Sequence, residues 1–245
     1  MRIATPLIAI LAAASLVVSG CSVSFDGPLI TASDLKGDSV TEARDVDGFT
    51  SIEIRGDADL VVRQGDEFDV TITTDSALLE HITTTVDDGE LQVTQRYSVI
   101  GFSPDVVVAI TVPDLEGVEL TGSSNADITG VTGDTLRIAV DGSADVSAEV
   151  AVDSLIVEIS GSGNVTAQGT ATELVVEISG SGNVAAASLA AQTARVEVSG
   201  SGEITVNASE TLDASISGSG DVRYTGSPQV TSDVSGSGDV RPAGD

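Results

Sequence analysis

The phrase Ser-Gly-Ser-Gly, followed by one polar and one aliphatic residue, occurs five times in this chain. It reads SGSGNV at Ser160 and Ser179, SGSGEI at Ser199, and SGSGDV at Ser217 and Ser235. Two degenerate versions precede these, TGSSNA at Thr121 and DGSADV at Asp141. Aligned on the polar residue, the seven phrases fall at Asn125, Asp145, Asn164, Asn183, Glu203, Asp221 and Asp239, in steps of 20, 19, 19, 20, 18 and 18 residues. A Gly/Ser run alone would suit a flexible linker. Recurrence at a fixed period makes each phrase one corner of a repeating unit.

The residues between the phrases identify the unit. Leu136, Ile138 and Val140 alternate with polar residues before one phrase, and Leu155, Val157 and Ile159 do so before the next. Leu174, Val176 and Ile178 repeat the pattern, as do Ala194, Val196 and Val198, then Leu212, Ala214 and Ile216. A shorter apolar pair follows most phrases, as at Val165 and Ala167. Period-two alternation is the mark of a half-buried strand. About 19 residues is too short for a helical-hairpin repeat, which needs about 33 or more, but accommodates three short strands and three corners. The expectation is all-β: a three-sided, right-handed parallel β-helix, or solenoid, of about 19-residue coils. Each coil rises by about 4.8 Å, so seven phrases stack to roughly 30 Å. Like residues fall above like residues, and Leu136, Leu155, Leu174 and Leu212 should form an interior ladder.

The same argument assigns the corner residues. Gly161 and Gly163, Gly180 and Gly182, Gly200 and Gly202, Gly218 and Gly220, and Gly236 and Gly238 are corner glycines, placed where the chain turns through conformations that side chains resist. The serines are small and can bond nearby backbone. Asn164, Asn183, Glu203, Asp221 and Asp239 form a polar ladder. Such side chains satisfy backbone groups in turns, and that structural role is favoured here. A row of carboxylates binding calcium is the alternative, although calcium-binding β-rolls run in nonapeptides.

Before the array, Ile52 and Ile54, Leu60 and Val62, and Phe68, Val70 and Ile72 alternate with polar residues. Asp88-Gly89 is a hairpin signal between apolar-alternating runs. Residues 48–245 are therefore read as one domain, with an irregular, hairpin-containing part at 48–114 and the repeat array at 115–245.

The N-terminus carries Arg2, then the apolar run from Leu7 to Val18, then Ser19-Gly20-Cys21. That run is too short to span a bilayer and suits the core of a signal peptide. Val18-Ser19-Gly20-Cys21 resembles a bacterial lipobox. Residues 1–20 are accordingly a lipoprotein signal peptide, and Cys21, the single cysteine, is the lipid attachment residue. The acyl chains would hold the protein on the outer face of a bacterial membrane. Residues 21–47 read as a flexible tether, part of which could instead cover the first edge of the fold.

Composition excludes more than it assigns. The formal net charge is −28, and Lys36 is the single lysine. A surface this acidic does not bind nucleic acid. Enzyme chemistry is equally unsupported. His81 is the single histidine, and a catalytic triad needs a base beside its nucleophile. No cofactor or metal motif is present, and the array from residue 115 has Tyr224 as its one aromatic.

The pieces FTSIEIRGDADLVVRQGD, DDGELQV and VVVAITVPDLEGVELTGSSNADI, followed by the repeated SGSG phrases, together resemble the auto-transporter adhesin head GIN domain family. The likeness spans about Phe49 to Asp239. It implies an exported, β-helical domain of bacterial surfaces for which no enzyme activity is established. The expected function is a non-catalytic, adhesin-like binding or structural module of the cell envelope, with an unidentified envelope polymer or protein as ligand. An envelope-stress or signalling accessory that binds a membrane protein is the alternative; a polysaccharide-acting β-helix enzyme is a remote one. Pro242 cannot donate to a further strand and reads as an edge block, with an end-to-end dimer as the rival reading.

Overall fold

A computed structural model describes residues 27–244 of the chain. Its elements are almost entirely strands. The N-terminal part contains β1 (Leu29–Ile30), β2 (Ser39–Arg44), β3 (Ser51–Gly56), β4 (Asp59–Gln64), β5 (Asp69–Asp75), β6 (Ile82–Asp87), β7 (Glu90–Gln95), β8 (Ser98–Val99), β9 (Val107–Val112) and β10 (Gly117–Gly122). The array contains β11 (Ala126–Gly142), β12 (Asp145–Gly161), β13 (Asn164–Gly180), β14 (Asn183–Gly200), β15 (Glu203–Gly218), β16 (Asp221–Gly226), β17 (Gln229–Gly236) and β18 (Asp239–Pro242). A single 3-10 turn, Leu79–His81, interrupts them.

Each of β11 to β15 is one coil, and neighbouring coils pair in parallel. The result is a β-solenoid of about seven turns. Its core follows from the alternation. Leu136, Leu155, Leu174, Ala194 and Leu212 stand in one registered column, and all are buried. Ile138, Val157, Val176, Val196 and Ala214 form a second column; Val140, Ile159, Ile178, Val198 and Ile216 form a third. Burying one leucine contributes about 1.5–3 kcal/mol, so the leucine column alone rivals the net stability of an ordinary domain.

The inward residues divide a coil into three short faces. In β13, Val165 and Ala167 line the first, Ala171 the second, and Leu174, Val176 and Ile178 the third. Two consecutive exposed residues, Thr172 and Glu173, reset the alternation between the second and third faces. Coil-length differences are absorbed locally. The register shifts between Ile128 and Val131 of β11, where Gly130 takes φ +70°. It shifts again where β14 meets its neighbours.

The stack extends further toward the N-terminus than the Ser-Gly phrases do. β3 lies between β7 and β10, in parallel with both. β4 likewise lies between β9 and β11. Residues 51–64 are thus part of a coil, inserted in space between strands that come later in sequence. Antiparallel strands close this end. β6 pairs β7 through the Asp88-Gly89 turn, where both residues have positive φ. β5 pairs β9, and β2 pairs β5.

The 21–47 tether expectation meets a different arrangement over its described part. Ser39–Arg44 is the outermost strand, and Leu29–Ile30 pairs β8. The physical reason is the edge of β5, whose free N–H and C=O groups would otherwise lie open. At the opposite end β17 and β18 finish the stack. Val230 and Val240 are half-buried there, and Val234 is 39% exposed. Pro242 sits at the end of β18, and the next residue, Ala243, still donates to Tyr224 O at 2.7 Å.

Candidate functional site

The corner column is the most regular feature of the molecule. Gly161, Gly180, Gly200, Gly218 and Gly236, each the first glycine of its phrase, have φ between +137° and +144°. L side chains rarely adopt that region. A Cβ at any of them would also collide with the carbonyl of the equivalent glycine one coil below. The second glycines, Gly163, Gly182, Gly202, Gly220 and Gly238, are constrained by crowding instead. A Cβ on Gly182 would lie 2.6 Å from both Gly163 O and Ile159 Cγ2.

Most corner serines tie the coils through their backbone and not through the hydroxyl. The bond that ties coil to coil comes from the serine backbone. The N–H groups of Ser143, Ser162, Ser181, Ser201, Ser219 and Ser237 donate to the first glycine carbonyl of the preceding coil at 2.8–2.9 Å. At these six corners the hydroxyl is not the donor, whereas at the degenerate Thr121 phrase the buried Ser124 hydroxyl donates to Gly56 O at 2.9 Å.

The polar ladder is hydrogen-bonded to itself. Asn164 Nδ2 donates to Asp145 Oδ1 at 2.6 Å, and Asn183 Nδ2 to Asn164 Oδ1 at 2.8 Å. The Glu203 N–H donates to Asn183 Oδ1 at 2.9 Å, and the Asp239 N–H to Asp221 Oδ1 at 3.1 Å. Asn125 Nδ2 extends the motif toward the N-terminus by donating to Asp59 Oδ1 at 2.9 Å. Arg223 pairs with Glu203. Amide donors thus occupy oxygens that a cation would need. Among the described residues, no group of three or more His, Cys, Asp or Glu is arranged to hold a metal ion.

A second outward column carries charge. Glu158, Glu177 and Glu197 are stacked in register on successive coils. Arg137 reaches across from the coil below, and its Nε and Nη2 contact the two Glu158 oxygens at 2.9 and 2.6 Å. This fork holds the Glu158 carboxyl below the usual carboxylate range and raises Arg137. Both side chains remain partly exposed, so the pair is worth about 0–1 kcal/mol.

The corner ladder ends at the first coil, and there its chemistry changes. Gly56-Asp57-Ala58-Asp59 occupies the corner, since Gly56 registers on Gly122 and Gly122 on Gly142. No coil below supplies a glycine carbonyl. The Asp57 N–H instead donates to Gln95 Oε1 at 3.0 Å. Asp57 stands where later corners have serine. Together with Gln95, Tyr97, Ser98, Val99 and Pro104 it lines a cavity. The Tyr97 hydroxyl is pushed up to about 12, chiefly by burial and secondarily by the Asp57 carboxylate. The RGDAD stretch carried the signal for this corner, which the Ser-Gly consensus hid.

The remaining sequence candidates are apart from this column. His81 sits on the 3-10 turn, 4.0 Å from Glu80. Cys21 and the signal-peptide expectation lie outside the described residues. No helix among the described residues is long and apolar enough to cross a membrane.

Comparisons with known proteins agree with this architecture. Residues 48–228 match the family described as "Putative auto-transporter adhesin, head GIN domain". The crystal structure of a putative adhesin from Bacteroides fragilis superposes with a TM-score of 0.80 at 26% identity, covering 87% of this chain and 100% of that one. A putative adhesin from Parabacteroides distasonis gives 0.69 at 25% identity, covering 88% and 100%. A putative lipid binding protein from the same species gives 0.71 at 23% identity, covering 88% and 99%. No curated protein matches the chain.

Proposed function

The chain belongs to the putative auto-transporter adhesin head GIN domain family, and from that premise we propose that it is a non-catalytic, adhesin-like module of the bacterial cell surface. Cys21 carries the lipid that anchors it, and the solenoid presents its outer faces to an envelope polymer or protein. The observation that carries this reading is the registered outward surface. Columns such as Glu158, Glu177 and Glu197 repeat at the inter-strand spacing on a rigid core. Such a surface suits a partner that is itself extended and repetitive. The net charge of −28 directs it away from anionic polymers and toward neutral or basic ones.

The test is crosslinking in intact cells that express the full chain. Recovery of an external polymer or ligand on the solenoid is the expected result. Capture of a single membrane protein would replace this reading with that of a signalling accessory. Radiolabelled palmitate incorporation that is lost in Cys21→Ser tests the anchor separately.

A further inference from the structure

The N-terminal end of the solenoid carries an apolar stretch on its surface. Residues 98–102 read Ser-Val-Ile-Gly-Phe and belong to the connection between β7 and β9. Gly101 turns the chain there with φ +82°. Such a connection is ordinarily polar. Here Ile100 is 65% exposed, and Leu29 on β1 is 54% exposed. Among the described residues no other large hydrophobic side chain exceeds 41%.

These two side chains share a face. β1 and β8 pair in parallel, with Leu29 opposite Ser98 and Ile30 opposite Val99. Ile30 is buried and Val99 half-buried. The alternation therefore turns Leu29 outward, together with Ser98 and Ile100 two residues beyond it. Exposed apolar residues scattered singly are ordinary, whereas neighbouring ones mark an interaction surface.

The chain that precedes β1 identifies what covers them. Pro28 O accepts from the Ser98 N–H at 3.0 Å, so the chain enters the fold against β8. Cys21 lies six residues before Gly27. Even fully extended, six residues reach about 20 Å. A lipid on Cys21 keeps the bilayer surface within that distance of the chain's entry. Stable attachment commonly combines acylation with a second membrane signal. A linker this short makes even a weak second contact intramolecular. Charge does not decide the matter. Lys36 and Arg96 lie exposed on this end and suit headgroup phosphates, while Asp34, Asp38 and Asp105 on the same end oppose an anionic surface. Apolar insertion carries the contact.

We propose that Leu29 and Ile100 form a membrane-docking edge that seats the N-terminal end of the solenoid at the headgroup–acyl boundary. The proposal rests on the lipid-anchored reading above and adds an orientation to it. The outward columns stand clear of the bilayer, and the β17 end is farthest from it.

The test uses the full chain, lipidated in bacterial cells and reconstituted into phosphatidylcholine vesicles. The chain has no tryptophan, so an introduced one reports its own site. Ile100→Trp and Leu29→Trp are compared with Val234→Trp at the opposite end. Vesicles with and without bromine on the acyl chains supply the quencher. Ile100→Trp should emit to the blue of Val234→Trp and lose most of its emission in the brominated vesicles, while Val234→Trp should lose none. Leu29→Trp should behave as Ile100→Trp does, so a folding failure in one variant leaves the other decisive. Vesicle flotation separates the two readings. A chain that floats but shows no quenching at either N-terminal position overturns the docking edge and leaves the anchor standing. Equal quenching at both ends also overturns it, because the solenoid then lies along the membrane. A chain that does not float overturns the anchor, and the docking edge with it.

Discussion

At the scale of single residues, glycine and its neighbours decide whether coils can stack. Gly180 combines a φ of +143° with a backbone carbonyl where its Cβ would be. Gly182 has the crowding without the positive φ. Gly180→Val should therefore destabilise the domain most, by about 3 kcal/mol or more, with Gly182→Val close behind. Glu177→Val, on an exposed outward position, should stay within about 0.5 kcal/mol. Urea unfolding of the three variants checks the ranking, and equal losses would refute the corner assignment. Tyr97 makes a separate prediction. Its hydroxyl is raised to about 12 in the fold, against about 10 in an unfolded chain. Between those values the native state keeps a proton that the unfolded state has lost. Stability should therefore fall as pH rises from about 10 to 12. Tyr97→Phe should remove that component of the fall, measured as melting temperature against pH beside the wild type.

At the scale of the element, a coil is held by two kinds of ladder. The apolar columns supply most of the stability, and the polar ladder fixes where each corner sits. Asn164 is central because it donates to Asp145 and accepts from Asn183. Asn164→Ala removes both bonds in a partly solvated setting and should cost about 1 kcal/mol. Asn164→Asp should lose the donor and place a second carboxylate beside Asp145, costing more at pH 7 than at pH 3. Denaturant midpoints at the two pH values test that difference. Much of this level was legible in the sequence. The strand period, the inward Leu136–Leu155–Leu174 column and the glycine corners were all written in the spacing. Which serines bond through the backbone and which, like Ser124, through the hydroxyl was not, because the two donors are equivalent in a one-letter string. The first corner was hidden for a related reason. Asp57 and Ala58 replace serine and glycine, and Gln95, 38 residues later, completes the bond. A repeat consensus cannot register a substitute that arrives from outside the repeat.

At the scale of the whole molecule, the two ends differ, and neither difference follows from local pattern. β3 and β4 insert between later strands, so spatial order departs from chain order. Periodicity reports which residues share a coil, but not which coil the chain visits first. The mismatch predicts unequal tolerance to shortening. Residues 164–182 are one complete coil, and their deletion joins Gly163 to Asn183 with the phrase intact. Stacked repeats interact mainly with their neighbours. The shortened chain should fold cooperatively, with its urea m-value reduced by about a tenth in keeping with the smaller surface exposed on unfolding. Removal of residues 27–44 deletes comparably little chain but takes away β1 and β2. That exposes the full edge of β5, whose alternate residues Val70 and Ile72 are buried in the core. An open, apolar-backed edge pairs with other chains. The cap-deleted protein should form larger species despite its negative charge, while the coil-deleted protein keeps the wild-type association state. Light scattering coupled to size exclusion distinguishes them. If coil deletion aggregates and cap deletion does not, the antiparallel strands do not protect the stack.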